Sequence, residues 1–232
     1  YKSLKVSKKY LRPLIRPAHI EESPYTVSKL SKEKNEDYVL WVDDLSKVKD
    51  SGMIKYLAWA ADFVKKQNEM DGDKFPTLAK LVESPSWAEL PDKSGAKLFC
   101  KNDIYKNFAI YMNNISVAQV DKRLFLDSSK VDVDERIIFG TMNSIFTYLG
   151  MELIGRTNLG EGALDVNVVD YKKIPIIDPQ VVRQRLERNG HLQDFLQIVD
   201  KMLNMKTREI EFEAQNEIRL KMEEHILGSV GF

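Results

Sequence analysis

Six cations stand in the first sixteen residues, Lys2, Lys5, Lys8, Lys9, Arg12 and Arg16, with no carboxylate among them. Folded onto one side, such a segment attracts phosphates; its bland alternative is a solvated face. A compensating acidic excess lies near the other end. There Glu209, Glu211, Glu213, Glu217, Glu223 and Glu224 face only Arg208, Arg219 and Lys221, a pattern read as a solvated helix face. Asp170-Tyr171-Lys172 has the Asp-x-Lys spacing with which metal-dependent nucleases hold Mg²⁺ and assist the attacking water, with Glu152 as the one tidy upstream carboxylate. Such a three-residue match is common by chance. The histidines His19, His191 and His225 never pair at i+3 or i+4, the spacing that sets two imidazoles on one helix face, so no zinc site is expected. Cys100 is the only cysteine; it excludes an internal disulfide, fits a reducing compartment and reads as packing. The stretch from Gly155 to Gly162 has glycines like a phosphate loop, but Glu161 stands where a lysine belongs. No catalytic, cofactor-binding or metal-ligating residue is therefore assigned in this chain.

The elements that position these groups follow from periodicity. Arg12-Pro13, Arg16-Pro17 and Ser23-Pro24 keep the first third irregular. Tyr38–Val42 reads as a buried strand, and Met53–Gln67 as a helix with Ile54, Leu57, Ala58, Ala61 and Val64 on one stripe. A short helix is expected from Pro76 to Val82. Lys97–Cys100, Phe108–Met112, Val117–Val120 and Arg123–Asp127 read as strands, and a helix starting at Asp132–Glu135 is expected to run to about Leu153. Leu164, Val166 and Val168 alternate as in another strand. After Pro179 three helices are expected, over 180–189, 192–204 and 207–227. Strands first and helices last imply an α+β fold, a mixed or antiparallel sheet with packed helices, followed by a small C-terminal helical segment. The expected division is 1–178 and 179–232.

The 232 residues carry 35 basic and 35 acidic side chains, ordinary for a chain that buries its own core. No apolar run reaches the roughly 18–20 residues needed to cross a bilayer, so no membrane role and a cytoplasmic location are expected. Tyr1 in place of a methionine fits a piece of a longer protein.

The informative stretch runs from Trp87 to Pro179. It holds Met142-Asn143-Ser144-Ile145-Phe146-Thr147, then Glu152-Leu153-Ile154-Gly155-Arg156, Gly160-Glu161-Gly162-Ala163-Leu164, Val169-Asp170-Tyr171 through Pro175, and Asp178-Pro179. In order and spacing this resembles the C-terminal, target-recognition half of prokaryotic adenine-specific (N6) DNA methyltransferases of restriction-modification systems. Leu11–Arg16 and the segment from Trp87 to Leu90 match more weakly. The family's Asn-Pro-Pro-Tyr/Phe motif, which holds the flipped adenine, is absent, since no Pro-Pro pair occurs in the chain. The resemblance thus implies a DNA-binding part whose catalytic half is missing. S-adenosylmethionine belongs to the parent enzyme and not to this fragment, which alone should lack transferase activity. Its implied partners are double-stranded DNA and the N-terminal catalytic domain of the same protein.

On that reading Lys5, Lys8, Lys9, Arg12 and Arg16 are candidates for phosphate contacts. Arg123 joins them from a strand region where Lys97, Lys101, Lys106 and Lys122 alternate with Phe99, Tyr105, Phe108 and Tyr111. Arg156 and Asn158 are candidates for base reading, because arginine pairs with guanine O6/N7 and asparagine with adenine N6/N7; Arg156 could equally pair with Glu152. Asn143-Ser144 reads equally as polar packing or capping, and the glycines as fold devices. The alternative function is a non-catalytic specificity or protein-interaction module, docking a partner through Ile210, Ala214, Ile218 and Met222 of the last helix.

Overall fold

Short β-branched and aromatic runs cut by Asn, Asp and Pro, then longer stripes at helical spacing, set the order of elements. The computed structural model describes residues 5–16, 20, 24–28, 38–70, 76–90, 97–101, 103–104, 106–115, 119–120, 123–126, 128, 131–156 and 164–231. In chain order come β1 (Leu11–Ile15), β2 (Thr26–Val27), β3 (Tyr38–Leu40), α1 (Ser51–Met70) and α2 (Pro76–Leu81). Next are β4 (Leu98–Lys101), β5 (Asp103–Ile104), β6 (Ile110–Asn113), β7 (Gln119–Val120) and β8 (Arg123–Leu126). Then follow α3 (Glu135–Met142), α4 (Ile145–Ile154), β9 (Leu164–Asp165), α5 (Val168–Tyr171), α6 (Pro179–Arg188), α7 (Leu192–Leu203), α8 (Ile210–Glu213) and α9 (Glu217–Val230). The fold is α+β, with small mixed sheets and packed helices. No single helix among the described residues is long and apolar enough to cross a membrane. The chain divides into two compact units, Tyr1–Pro13 with Asp37–Ser94, and Leu14–Glu36 with Gly95–Phe232.

In the first unit the start of β1 pairs antiparallel with β3, Leu11 opposite Leu40 and Pro13 opposite Tyr38. The chain leaving β3 is fastened on both sides. Trp41 N–H donates to the Tyr10 carbonyl (2.7 Å), and Leu90 N–H to the Val42 carbonyl (2.7 Å). Helix α1 starts where the Asp50 carboxylate accepts from Met53 N–H (2.7 Å). Its covered face runs from Met53 to Asn68 through half-buried Leu57, Ala61 and Val64 of the expected stripe, while Ile54 and Ala58 are exposed.

The second unit holds a four-stranded sheet in the order β2-β6-β4-β8, antiparallel except for β2 on β6. Leu98, Phe99 and Cys100 are all buried, so β4 is covered on both faces. Helix α3, buried from Ile137 to Met142, packs on β6, α6 and α7. Gly140 permits the α7 approach, because a Cβ there would lie 2.8 Å from Phe195 Cζ. The helices after Pro179, expected as a separate appendage, lie in this unit and share its core through Val182, Leu186, Phe195, Val199, Met222 and Ile226.

The helix expected to run unbroken to Leu153 is instead two, bent by 53° at Asn143-Ser144. Asn143 Oδ1 accepts from Ile110 N–H (2.9 Å), while its Nδ2 donates to the carbonyls of Ile110 (3.2 Å) and Phe139 (3.0 Å). Ser144 then caps α4, accepting from Thr147 N–H (3.2 Å). The Leu164 alternation also misleads: only two residues are strand before Asn167 caps α5 by accepting from Val169 and Asp170 N–H.

At the acidic end Glu211, Glu217 and Glu224 are exposed as expected, while Glu213 and Glu223 are turned inward. The expected helix over 207–227 breaks at Asn216, which caps α9 by accepting from Ile218 N–H (2.9 Å). Arg219, buried, donates to Glu213 Oε2 (3.3 Å), to the Tyr25 hydroxyl (3.3 Å) and to the Asn143 carbonyl. Glu223 Oε1 accepts from Ile145 N–H (2.7 Å) at the start of α4. Of the residues expected on a docking face, Met222 is buried in the unit's own core, Ile210 and Ile218 pack partly against it, and Ala214 is exposed.

Asn143→Ala leaves the paired Ile110 groups buried without partners and should cost about 2–4 kcal/mol in urea denaturation. Burial raises the Glu223 pKa, opposed by Ile145 N–H and Arg219. A carboxyl with a raised folded pKa contributes stability at low pH that is lost as pH rises through that pKa. Glu223→Gln keeps an oxygen for Ile145 N–H, so its stability relative to wild type should climb as pH rises from about 4, the ordinary carboxyl pKa, toward neutrality. A constant difference across that range would show that burial does not govern this group.

Candidate nucleic-acid interface

The candidate cations divide between the units: Lys5, Lys8, Lys9 and Arg12 in the first, Arg16, Arg123 and Arg156 in the second. Lys8–Tyr10 form one 3-10 turn before β1, leaving Lys5, Lys8 and Lys9 exposed. Arg12 differs from them. Its guanidinium lies 4.3 Å from the centre of the buried Trp41 ring, and Nη2 is 3.5 Å from Asp43 Oδ1. Asp43 Oδ1 also accepts from Trp41 Nε1 (2.6 Å), so one carboxylate fixes both the ring and the cation above it. A hollow of about 300 Å³ is lined by Lys9, Tyr10, Arg12, Trp41, Asp44 and Lys47, among others. Lys47 pairs with Asp44 (2.9 Å). The Ser46 hydrogen bond, with Lys47, holds the Asp44 carboxyl down to about 2. Neither Trp41 nor Asp43 was singled out by charge counting, and the only sequence signal was an aromatic beside an acid.

In the second unit Arg156 has a defined place. Gly155 closes α4 with ordinary φ; it is needed for proximity, because a Cβ would meet the Met151 carbonyl at 2.8 Å and Leu164 Cβ at 3.1 Å. Arg156 and Asp165 then exchange both backbone hydrogen bonds, N–H to O at 3.1 and 2.9 Å. The Arg156 guanidinium donates to Asp170 Oδ1 (3.2 Å); the arginine side chain is 52% exposed and the aspartate side chain 4%. Asp170, not Glu152, is thus its partner, while Glu152 accepts from the Tyr148 hydroxyl. Two backbone bonds and one ion pair aim a half-exposed fork outward. Asn158 lies outside the described residues. Arg16 is exposed, and Arg123 opposes Lys101 in the β4–β8 ladder.

Other readings resolve by geometry. Asp170 faces inward onto Arg156 while Lys172 is exposed, so the Asp-x-Lys spacing does not present a carboxylate at the surface. Among the described residues no three His, Cys, Asp or Glu side chains are grouped to hold a metal ion. His191 and His225, far apart in sequence, bring their rings to 5.6 Å, and burial first, then His191, lowers the His225 pKa. Cys100 is buried, and burial raises the neighbouring Tyr171 hydroxyl pKa, with the thiol adding to it. Arg183 is committed within its unit, to Glu187 (2.9 Å) and the Asp132 carbonyl (2.9 Å), leaving Arg185 and Arg188 exposed.

No protein family matches the chain, and no curated protein does. Among solved structures it is similar to the type IIG restriction endonuclease BpuSI, with a TM-score of 0.45 and 10% sequence identity, over 95% of this chain and 26% of that one. The chain spans about a quarter of that protein's length.

Removing Arg156 leaves the buried Asp170 carboxylate without its cation. Because the arginine is half exposed, Arg156→Ala should cost about 1 kcal/mol, well short of a fully buried pair. The double variant Arg156→Ala with Asp170→Asn should recover most of it in thermal or urea unfolding. Equal losses in the single and double variants would mean the two side chains are not coupled.

Proposed function

We propose that this chain is the DNA-recognition part of a site-specific adenine-N6 DNA methyltransferase of a restriction-modification system. It carries no catalytic residues of its own. Its partners are duplex DNA and the catalytic domain that binds S-adenosylmethionine in the parent protein, in the cytoplasm. The ordered series from Asn143-Ser144 to Asp178-Pro179 supports the reading. The observation that carries it is Arg156. Within that series a half-exposed guanidinium is held by a buried carboxylate and a two-way backbone bridge, a fork set in place for guanine O6 and N7. Exposed Lys5, Lys8, Lys9 and Arg16 supply sequence-independent phosphate contacts. Arg12, tied to Trp41 and Asp43, orients the segment that bears the lysines.

The test is duplex DNA binding by fluorescence anisotropy across roughly 20–200 mM salt, where each phosphate contact contributes a slope of about 0.9 in log affinity against log salt. The wild-type chain should bind weakly and lose affinity steeply. Lys8→Ala with Lys9→Ala should lower the slope by about 2. Arg156→Ala should weaken binding with a smaller change in slope. Salt-independent binding, or none at the lowest salt, overturns the proposal.

A further inference from the structure

Helix α1 is 20 residues long, about 30 Å, and only Met53 and Asn68 on it are buried. On the side away from them, Gly52, Tyr56, Trp59, Phe63, Lys66 and Met70 recur at alternating spacings of four and three residues, the period of a two-helix seam. Trp59 is 44% exposed, Phe63 50% and Met70 82%. The rings already form a ladder along the helix: Tyr56 to Trp59 at 5.7 Å, and Trp59 stacked on Phe63 at 5.4 Å. Exposed tryptophan and phenylalanine at seam spacing mark an association surface more than a solvated face.

What fits that seam is the seam itself. Reversed about residue 61, Trp59 falls opposite Phe63, Tyr56 opposite the aliphatic stem of Lys66, and Gly52 opposite Met70. The largest protrusion thus meets the position without a side chain. Along one flank the sequence places Lys55, Asp62 and Glu69, one every seven residues. In an antiparallel pair this flank meets its own copy, Lys55 opposite Glu69 at both ends. Asp62 faces itself at the centre, and each copy neutralises it with its own Lys66, 2.8 Å away.

We propose that α1 is a self-association surface through which two copies of this chain pair antiparallel, with Trp59 and Phe63 at the two-fold axis and Lys55–Glu69 bridges at the rim. The pairing is independent of the DNA-recognition reading. One helix pair is small, below roughly 1,200 Å² of total buried surface, so the dimer is weak and concentration-dependent.

Sedimentation of the full chain from about 1 to 200 μM tests it, a range chosen for a weak dimer of this interface class. The mass should rise from 26.8 kDa toward twice that value. Trp59→Lys, at an exposed site that keeps the helix signal in circular dichroism, should weaken dimerisation at least about tenfold by setting charge in the seam centre. Lys55→Glu and Glu69→Lys should each weaken it about tenfold or less, and together restore it to within about twofold, since the bridges re-form with signs exchanged. A chain that stays monomeric throughout, a dimer indifferent to Trp59→Lys, or charge reversals that do not rescue one another would overturn the pairing. So would Trp59 fluorescence responding to an oligonucleotide while the chain remains monomeric.

Discussion

A buried guanidinium constrains the second unit more than any other group. Arg219 enters from near the C-terminus and reaches Glu213 on α8, Tyr25 beside β2 and the Asn143 carbonyl at the end of α3. Removed from water, such a cation must be met by acceptors on several sides, so these elements can settle in few arrangements. Glu223, one turn later on the same helix, holds the first N–H of α4. The α3–α4 bend, α8 and the start of β2 are thereby referred to one charge on α9. Burial pushes the Tyr25 hydroxyl pKa well above its ordinary range, against the pull of Arg219, so the tyrosine oxygen accepts from Arg219 as a neutral hydroxyl.

The same device recurs at two arginines less deeply buried than Arg219. Arg12 is held by Asp43 and the Trp41 face, Arg156 by Asp170. Each carboxylate lowers the net charge that its arginine offers to a phosphate, yet limits the conformations the guanidinium loses on binding. Lysines Lys5, Lys8 and Lys9 sit exposed, Lys9 with its ammonium 4.8 Å from the Tyr10 ring centre, as suits contacts that need charge and little direction. A balanced total of 35 cations and 35 anions therefore says little about either role.

The strands around Phe99 and Tyr111 and the helices over 180–189 and 192–204 were legible because their apolar spacing matches one period throughout. The Asn143-Ser144 reading as packing and capping was also available from residue type, although the bend it imposes was not: a continuous apolar stripe hides a break made by two hydrogen bonds to another strand. Part of the acidic terminus departs from the solvated-face reading for a related reason. Glu213, Arg219 and Glu223 look like a solvated face in one dimension, and their burial depends on Tyr25 and Asn143, far away in sequence. Asp170 as the partner of Arg156 was hidden likewise; one helical turn pointed to Glu152, whereas the β9 bridge brings Asp170 alongside.

The interleaving of the units has a consequence for the order of events during synthesis. Residues 37–94 with the first thirteen form their own unit, and all of its residues have been made once residue 94 emerges. The segment 14–36 has no such luck. Tyr25 N–H bonds to the Met205 carbonyl (3.0 Å), Pro24 bridges Lys206, and the Tyr25 hydroxyl waits for Arg219. A ribosome adding about 5–20 residues per second needs roughly 10–40 seconds to reach those partners, far longer than local helices take to form. For much of that interval the first unit has all its residues while Tyr25 still lacks its partners, and α9, which carries Arg219, supplies the last of those named here.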